Sequence, residues 1–337
     1  MRFPTIDLHC HIEGAIHPDL MRRLADRNGL NLPADLRVKN GQYLWDDFSG
    51  FLTAYDRVAS VIRSEQDYRD IVHDYFTRAA ATGMIYGEVF SSPDHAETAG
   101  LAYPAMVDAM AQGLADAEAE TGVVGRVVAT CVRHLGPERA RDTAQLIADH
   151  PHPSVTGFGM GGDERLHTMA DFAPAFDIAR NAGFALTVHA GEVCGPDSVR
   201  DALTALRPQR IGHGVRSIED DNLVKRLAEN AVTLEICPGS NLALGIYPSR
   251  ESHPFLRFRD AGCQVTLGAD DPPFFNTSIE SEYSQMATSA NLTMAEMLGV
   301  TDCAVEAAFC DPDTKARLRQ IIDRYRQNNR IEKRSRG

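Results

Sequence analysis

"ALTVHAGEVCGPDSVRDALTALRPQRIGHGV", residues 185–215, contains one complete unit of the fold. It opens on a short apolar run, ALTVHAGE (185–192), passes through a helical pattern at 197–206, and returns to a second apolar run, RIGHGV (210–215). Strand, amphipathic helix and strand in that order make a parallel crossover unit. Both strands end in polar residues: His189 and Glu192 on the first, His213 on the second.

The same alternation extends in both directions. Further strand candidates are TIDLHCH (5–11), MIYGEVFSS (84–92), GRVVATCVR (125–133), VTGFGMGG (155–162), VTLEICPGS (232–240) and QVTLGADD (264–271). Helical patterns lie at 104–121, 137–149, 170–182 and 219–230. Eight such alternations predict a (β/α)8 TIM-type barrel. The alternative is an open doubly wound sheet, which would carry a glycine-rich phosphate turn after the first strand; none is present. Residues 18–82 form a helical insertion after the first strand, including YLWDDFSGFLTAYDRVASVI with the single tryptophan, Trp45. An insertion at that place lies over the barrel mouth, as a lid or as a packing flange. Residues 293–330 read as C-terminal helices. With no Pro/Gly/Ser-rich linker, residues 1–337 are expected to form one domain.

The net charge of −13 disfavours a polymeric nucleic-acid ligand. The basic stretch RIEKRSRG (330–337) reads as a frayed, solvated tail. Seven scattered cysteines with no C-x-x-C fit neither a disulfide framework nor a cysteine zinc cage. The start of the chain lacks an apolar core of signal-peptide length, and no 18-residue apolar run occurs, so a cytoplasmic protein with no membrane partner is expected. Oligomeric state is not legible.

In such a barrel the chemistry sits at the C-terminal ends of the strands. The first strand ends in His9, His11 and Glu13, and the last in Asp270 and Asp271. Residues i and i+2 of a strand share a face, so His9 and His11 point together and Cys10 points away. Alone, each of these is an ordinary polar strand end or helix cap. Four such ends converging on one mouth make a site. Three neutral imidazoles and a carboxylate, His9, His11, His189 and Asp270, suit one zinc ion with an open position for water, whose pKa zinc lowers to about 7. Glu192, His213 and Asp271 remain for proton transfer and orientation.

Together, LHCHIEGA, MGGDE, TVHAGE, RIGHGV and ADDPPFF resemble the adenosine/adenine deaminase family of the amidohydrolase superfamily, in order from about residue 5 to 290. The resemblance implies a metal-bearing barrel and a small purine as partner. It implies zinc ligation by His9, His11, His189 and Asp270, with His11 also lining the substrate pocket. Glu192 resembles the glutamate that protonates purine N1, and His213 the histidine that orients the attacking hydroxide. Asp271 would bond purine N7, and the Gly162 N–H purine N3. Protonating N1 as hydroxide adds to C6 avoids a ring anion, which requires Glu192 to be held protonated.

Nucleoside enzymes of the family have H-x-H-x-D-G, where the aspartate meets the ribose; here Glu13 gives HCHIEG. Because Glu13 still offers an acceptor carboxylate, adenosine and 2′-deoxyadenosine are the expected substrates, yielding inosine, 2′-deoxyinosine and ammonia. The alternative is conversion of adenine to hypoxanthine, since a glutamate at that place is typical of the adenine-specific branch. Two remoter alternatives are another metallohydrolase, whose fourth strand would carry a modified lysine absent from VTGFGMGG, and a non-catalytic purine-binding protein.

Overall fold

A computed structural model describes residues 2–33 and 35–330. Eight parallel strands form the central sheet, each hydrogen-bonded to the next in chain order: β1 (Thr5–His11), β2 (Met84–Ser91), β3 (Val124–Val132), β4 (Val155–Gly161), β5 (Ala185–Ala190), β6 (Arg210–His213), β7 (Thr233–Ile236) and β8 (Gln264–Leu267). The first and last edges are joined just past the end of β8. His11 N–H donates to Asp270 O at 2.9 Å, and Asp270 N–H donates to His9 O at 2.8 Å. The (β/α)8 barrel read from the alternation is therefore the fold.

Outer helices return the chain between strands, for example Tyr103–Thr121, Pro137–Asp149, Pro196–Ala205 and Asp221–Glu229. Proline opens the helices at Pro18, Pro93, Pro137, Pro196 and Pro312. Its missing N–H costs nothing in a first turn, and its φ is already helical. Apolar strand residues such as Val127, Leu186, Ile211 and Leu234 are fully buried in the core. The inside of the barrel also holds a buried ionic network. Arg210 pairs with Glu88 at 2.7 Å and with Glu235 at 2.5 Å, and all three side chains are essentially inaccessible.

The strands are shorter than several of the apolar runs. VTLEICPGS yields a strand only over Thr233–Ile236, because Pro238 starts the helix Pro238–Ala243. The segment between β1 and β2 contains the helices Pro18–Arg27, Phe48–Ala59 and Glu65–Thr82, plus an antiparallel hairpin pairing Arg37–Lys39 with Gln42–Leu44. Its turn is Asn40–Gly41, both at positive φ, the Asn-Gly pair that a two-residue hairpin favours. The C-terminal helices are Met294–Ala307 and Pro312–Asn329. Residues 331–337, most of the basic tail, lie outside the described residues. Among the described residues no helix is long and apolar enough to cross a membrane.

Candidate active site

All the strand-end residues meet at the C-terminal mouth of the barrel. The ring nitrogens of His9, His11 and His189 and a carboxylate oxygen of Asp270 lie within 4.8 Å of one another. His11 Nε2 is 3.1 Å from His189 Nε2 and 3.4 Å from Asp270 Oδ1, and His9 Nε2 is 3.6 Å from the same oxygen. Donors at zinc–nitrogen distances on a tetrahedron are separated by about 3.3 Å. Cys10 is buried in the apolar core, away from this group.

The tautomers agree with ligation. His9 Nδ1 lies 2.7 Å from Glu235 Oε2, and His189 Nδ1 lies 2.9 Å from the Met160 carbonyl. Each Nδ1 therefore carries the proton, and each Nε2 turns its lone pair inward. His9 Nε2 is fully buried with no hydrogen-bond partner. Lone pairs and a carboxylate crowded into one buried space repel one another unless a cation lies between them. Burial, reinforced by neighbouring imidazoles, pushes His9 and His11 well down, so both rings are neutral as ligands must be. This donor set fits a divalent ion.

Beside the cage, His213 Nδ1 is 3.4 Å from Glu192 Oε1, and its Nε2 is 4.0 Å from Asp270 Oδ2. Burial, and then the charges of Asp270 and Glu164, lift the Glu192 carboxyl well above the usual range. Asp271 is lifted likewise by burial, then by Asp270, Glu192 and Glu13. Asp271 Oδ1 has no hydrogen-bond partner, and Asp271 lies against Gly14, where a Cβ would come within 1.7 Å of that oxygen. The glycine of HCHIEG thus makes room for Asp271. His213 and Asp270 both have left-handed backbones, at φ 58° and 61°. Strain of that kind is typical of side chains held in place by the surrounding fold.

Glu13, Gly162, Glu192, His213, Asp270 and Asp271 line one cavity, which Phe51, Leu52 and Tyr55 of the helix Phe48–Ala59 cover. Gly162, at φ 103°, sits in the turn after β4. Glu13 is 2% exposed; its Oε1 accepts from the Ser91 hydroxyl at 2.8 Å and lies 3.6 Å from His95 Nδ1. Sequence reasoning missed Ser91, His95, Glu164 and Glu235. Glu235 had a signal, a lone charge inside the apolar run VTLEI, and Glu164 closes the quoted MGGDE.

Three imidazoles and a carboxylate placed to hold a divalent ion at the mouth of a (β/α)8 barrel, beside carboxyls whose pKa burial raises, are the arrangement of a hydrolase of the amidohydrolase type. The family model described as adenosine deaminase matches residues 4–325, and the chain belongs to that family. It is 49% identical over 312 residues to an adenine deaminase of Sinorhizobium medicae (strain WSM419), covering 93% of this chain and 96% of the relative. It is 48% identical over 321 residues to an adenine deaminase of Chelativorans sp. (strain BNC1), covering 94% and 98%. The crystal structure of adenine deaminase from Arthrobacter aurescens superposes with a TM-score of 0.88 at 29% identity, covering 96% of this chain and 99% of that one.

Proposed function

We propose that this protein hydrolyses free adenine to hypoxanthine and ammonia with one zinc ion per chain. The alternative substrate of the sequence reading thereby replaces adenosine and 2′-deoxyadenosine. The observation that carries the choice is the setting of Glu13. Its carboxylate is buried, with Oε1 engaged by Ser91, which leaves Oε2 to the ligand. Free adenine offers an N–H on its imidazole ring that such an acceptor can take. In adenosine N9 bears a ribose carbon and no proton, and the sugar would need the space that glutamate fills. The names of the relatives support the same choice.

His9, His11, His189 and Asp270 would hold the ion. When bound, it supplies the Lewis acidity that makes water a nucleophile at neutral pH. Glu192, kept protonated by burial, gives its proton to N1 as water's oxygen bonds to C6. His213, between Glu192 and Asp270, orients that water and accepts its proton. Asp271, also kept protonated, donates to N7, and the Gly162 N–H donates to N3. His213 returns its proton to the amino group on C6, the C6 hydroxyl proton passes to the Glu192 carboxylate, and collapse of the tetrahedral carbon expels ammonia and restores the aromatic ring. The segment 18–82 serves as the lid, since its helix Phe48–Ala59 already covers the base cavity, and the whole chain works as one domain.

A panel of adenine, adenosine, 2′-deoxyadenosine and N6-substituted adenines, followed by absorbance, tests the reading. Adenine should have the highest kcat/KM. A value for adenosine equal to or above that for adenine would sink it. Glu192→Gln should retain zinc and lose at least ~10²-fold in kcat.

A further inference from the structure

Glu164 closes the MGGDE stretch, in the loop after β4, and is 7% exposed. It touches no part of the base cavity, yet five donors converge on its carboxylate. Oε2 accepts the amide N–H groups of Glu192 at 3.1 Å, Val193 at 2.8 Å and Cys194 at 2.9 Å. Oε1 accepts the Ser198 hydroxyl at 2.5 Å and the amide N–H of Gly191. A carboxylate offers about four lone-pair directions, so this one is saturated as an acceptor.

The loop that presents Glu164 is itself fixed. Arg133, at the end of β3 and 4% exposed, donates through Nε to Leu166 O at 2.6 Å and through Nη2 to His167 O at 2.9 Å. The turn that Glu164 gathers is held from its other side, where Arg216 Nη1 donates to Val193 O at 2.7 Å. The side chain projecting from this turn into the cavity is Glu192, whose buried Oε1 has no hydrogen-bond partner.

We propose that Glu164 is the positioning residue of the proton donor: it folds residues 191–194 around one carboxylate and so sets where Glu192 meets purine N1. Gly162 lies two residues before Glu164 on the same loop. One side chain therefore registers the N3 contact and the N1 contact against each other. The step it serves balances simply. The Glu192 O–H bond breaks, an N1–H bond forms, and the electron pair stays on Glu192 as carboxylate. The inference rests on Glu192 being that donor.

The test is a double-mutant cycle on the zinc-loaded enzyme. Glu164→Gln turns an NH2 group toward backbone N–H donors and lets the turn move. A displacement of about 1 Å at a reacting group costs about 10²-fold. Glu164→Gln should therefore lose about 10²-fold in kcat, with KM for adenine within about threefold and zinc content unchanged. In a Glu192→Gln background the same change should cost less than about threefold, because residues acting through one another do not add. An undiminished loss in that background, or normal kcat in folded Glu164→Gln, overturns the proposal. If Glu164→Gln does not fold, Ser198→Ala removes one donor and leaves the four amides. It should lower kcat several-fold at constant KM, and have no effect with Glu192→Gln; no effect in either background, or the same effect in both, overturns the proposal. Near-normal kcat in Glu192→Gln alone removes the donor assignment itself, a result distinct from failure of the cycle.

Discussion

Replacing Glu235 by glutamine should weaken zinc binding through a residue that never touches the ion. One oxygen of Glu235 faces His9 Nδ1 at 2.7 Å; the other faces Arg210 Nε at 2.5 Å and Thr187 Oγ1 at 2.9 Å. A glutamine has one acceptor oxygen for these two sides. If its NH2 turns toward Arg210 and Thr187, donors face donors around a buried guanidinium, at a cost of about 3–5 kcal/mol. If the NH2 turns toward His9, the imidazole need only change tautomer, which is the cheaper course. The proton then moves to Nε2 and blocks the lone pair proposed to bind zinc. Loss of such a supporting carboxylate costs about 10–100-fold in metal affinity, or about 1.4–2.8 kcal/mol. Arg210 also keeps only one full carboxylate partner, Glu88, so the melting temperature of the metal-free protein should fall. Competition against a chromophoric chelator measures the first effect and calorimetry of the chelated protein the second. Wild-type zinc affinity in this variant would refute the reasoning.

Strong chelation should abolish activity, and restoring one equivalent of zinc should recover it; full turnover by metal-free protein would remove the metal from the mechanism. His189→Ala should lower zinc content and turnover together. Glu13→Ala should lower kcat/KM for adenine by up to ~10⁴-fold, since a site built to accept a proton discriminates that strongly; kinetics on adenine read this directly. His253 is buried beside Asn241, and burial, then the Arg250 charge, hold its pKa down at about 3. Its unfolded pKa is higher, so its contribution to stability is complete above about pH 6.5 and is lost as pH falls toward 3. Between pH 6.5 and 5 this one group should remove about 1.6 kcal/mol. Urea titrations should show that slope flattened in His253→Asn.

The barrel was legible because strand and helix periods alternate along the chain. The cage was legible because its members sit at strand ends, where the fold forces convergence: His9, His11, His189 and Asp270 come together as the pattern requires. What escaped was whatever depends on partners distant in sequence. Glu164 reads as one acid in a polar loop until five donors are seen around it. The salt network of Glu88, Arg210 and Glu235 lies where a barrel interior ordinarily carries branched apolar side chains. The Asn40–Gly41 hairpin did have a local signal, but the long helical patterns around it masked two three-residue strands.

The seam that closes the barrel has a consequence for biogenesis. The two backbone bonds that tie β1 to the chain beyond β8 run through His9, His11 and Asp270, three of the four cage residues. During synthesis at about 5–20 residues per second, His9 and His11 emerge some 260 residues before Asp270, a wait of about 13–50 s. Until then the first strand has an unpaired edge and the imidazoles lack their carboxylate. Metal capture by these residues, as proposed, would thereby be coupled to closure of the barrel, and a chain truncated before Asp270 lacks both the closing seam and the full set of four side chains. Loading with the proposed metal would, for this architecture, be a record that the two ends of the sheet have met.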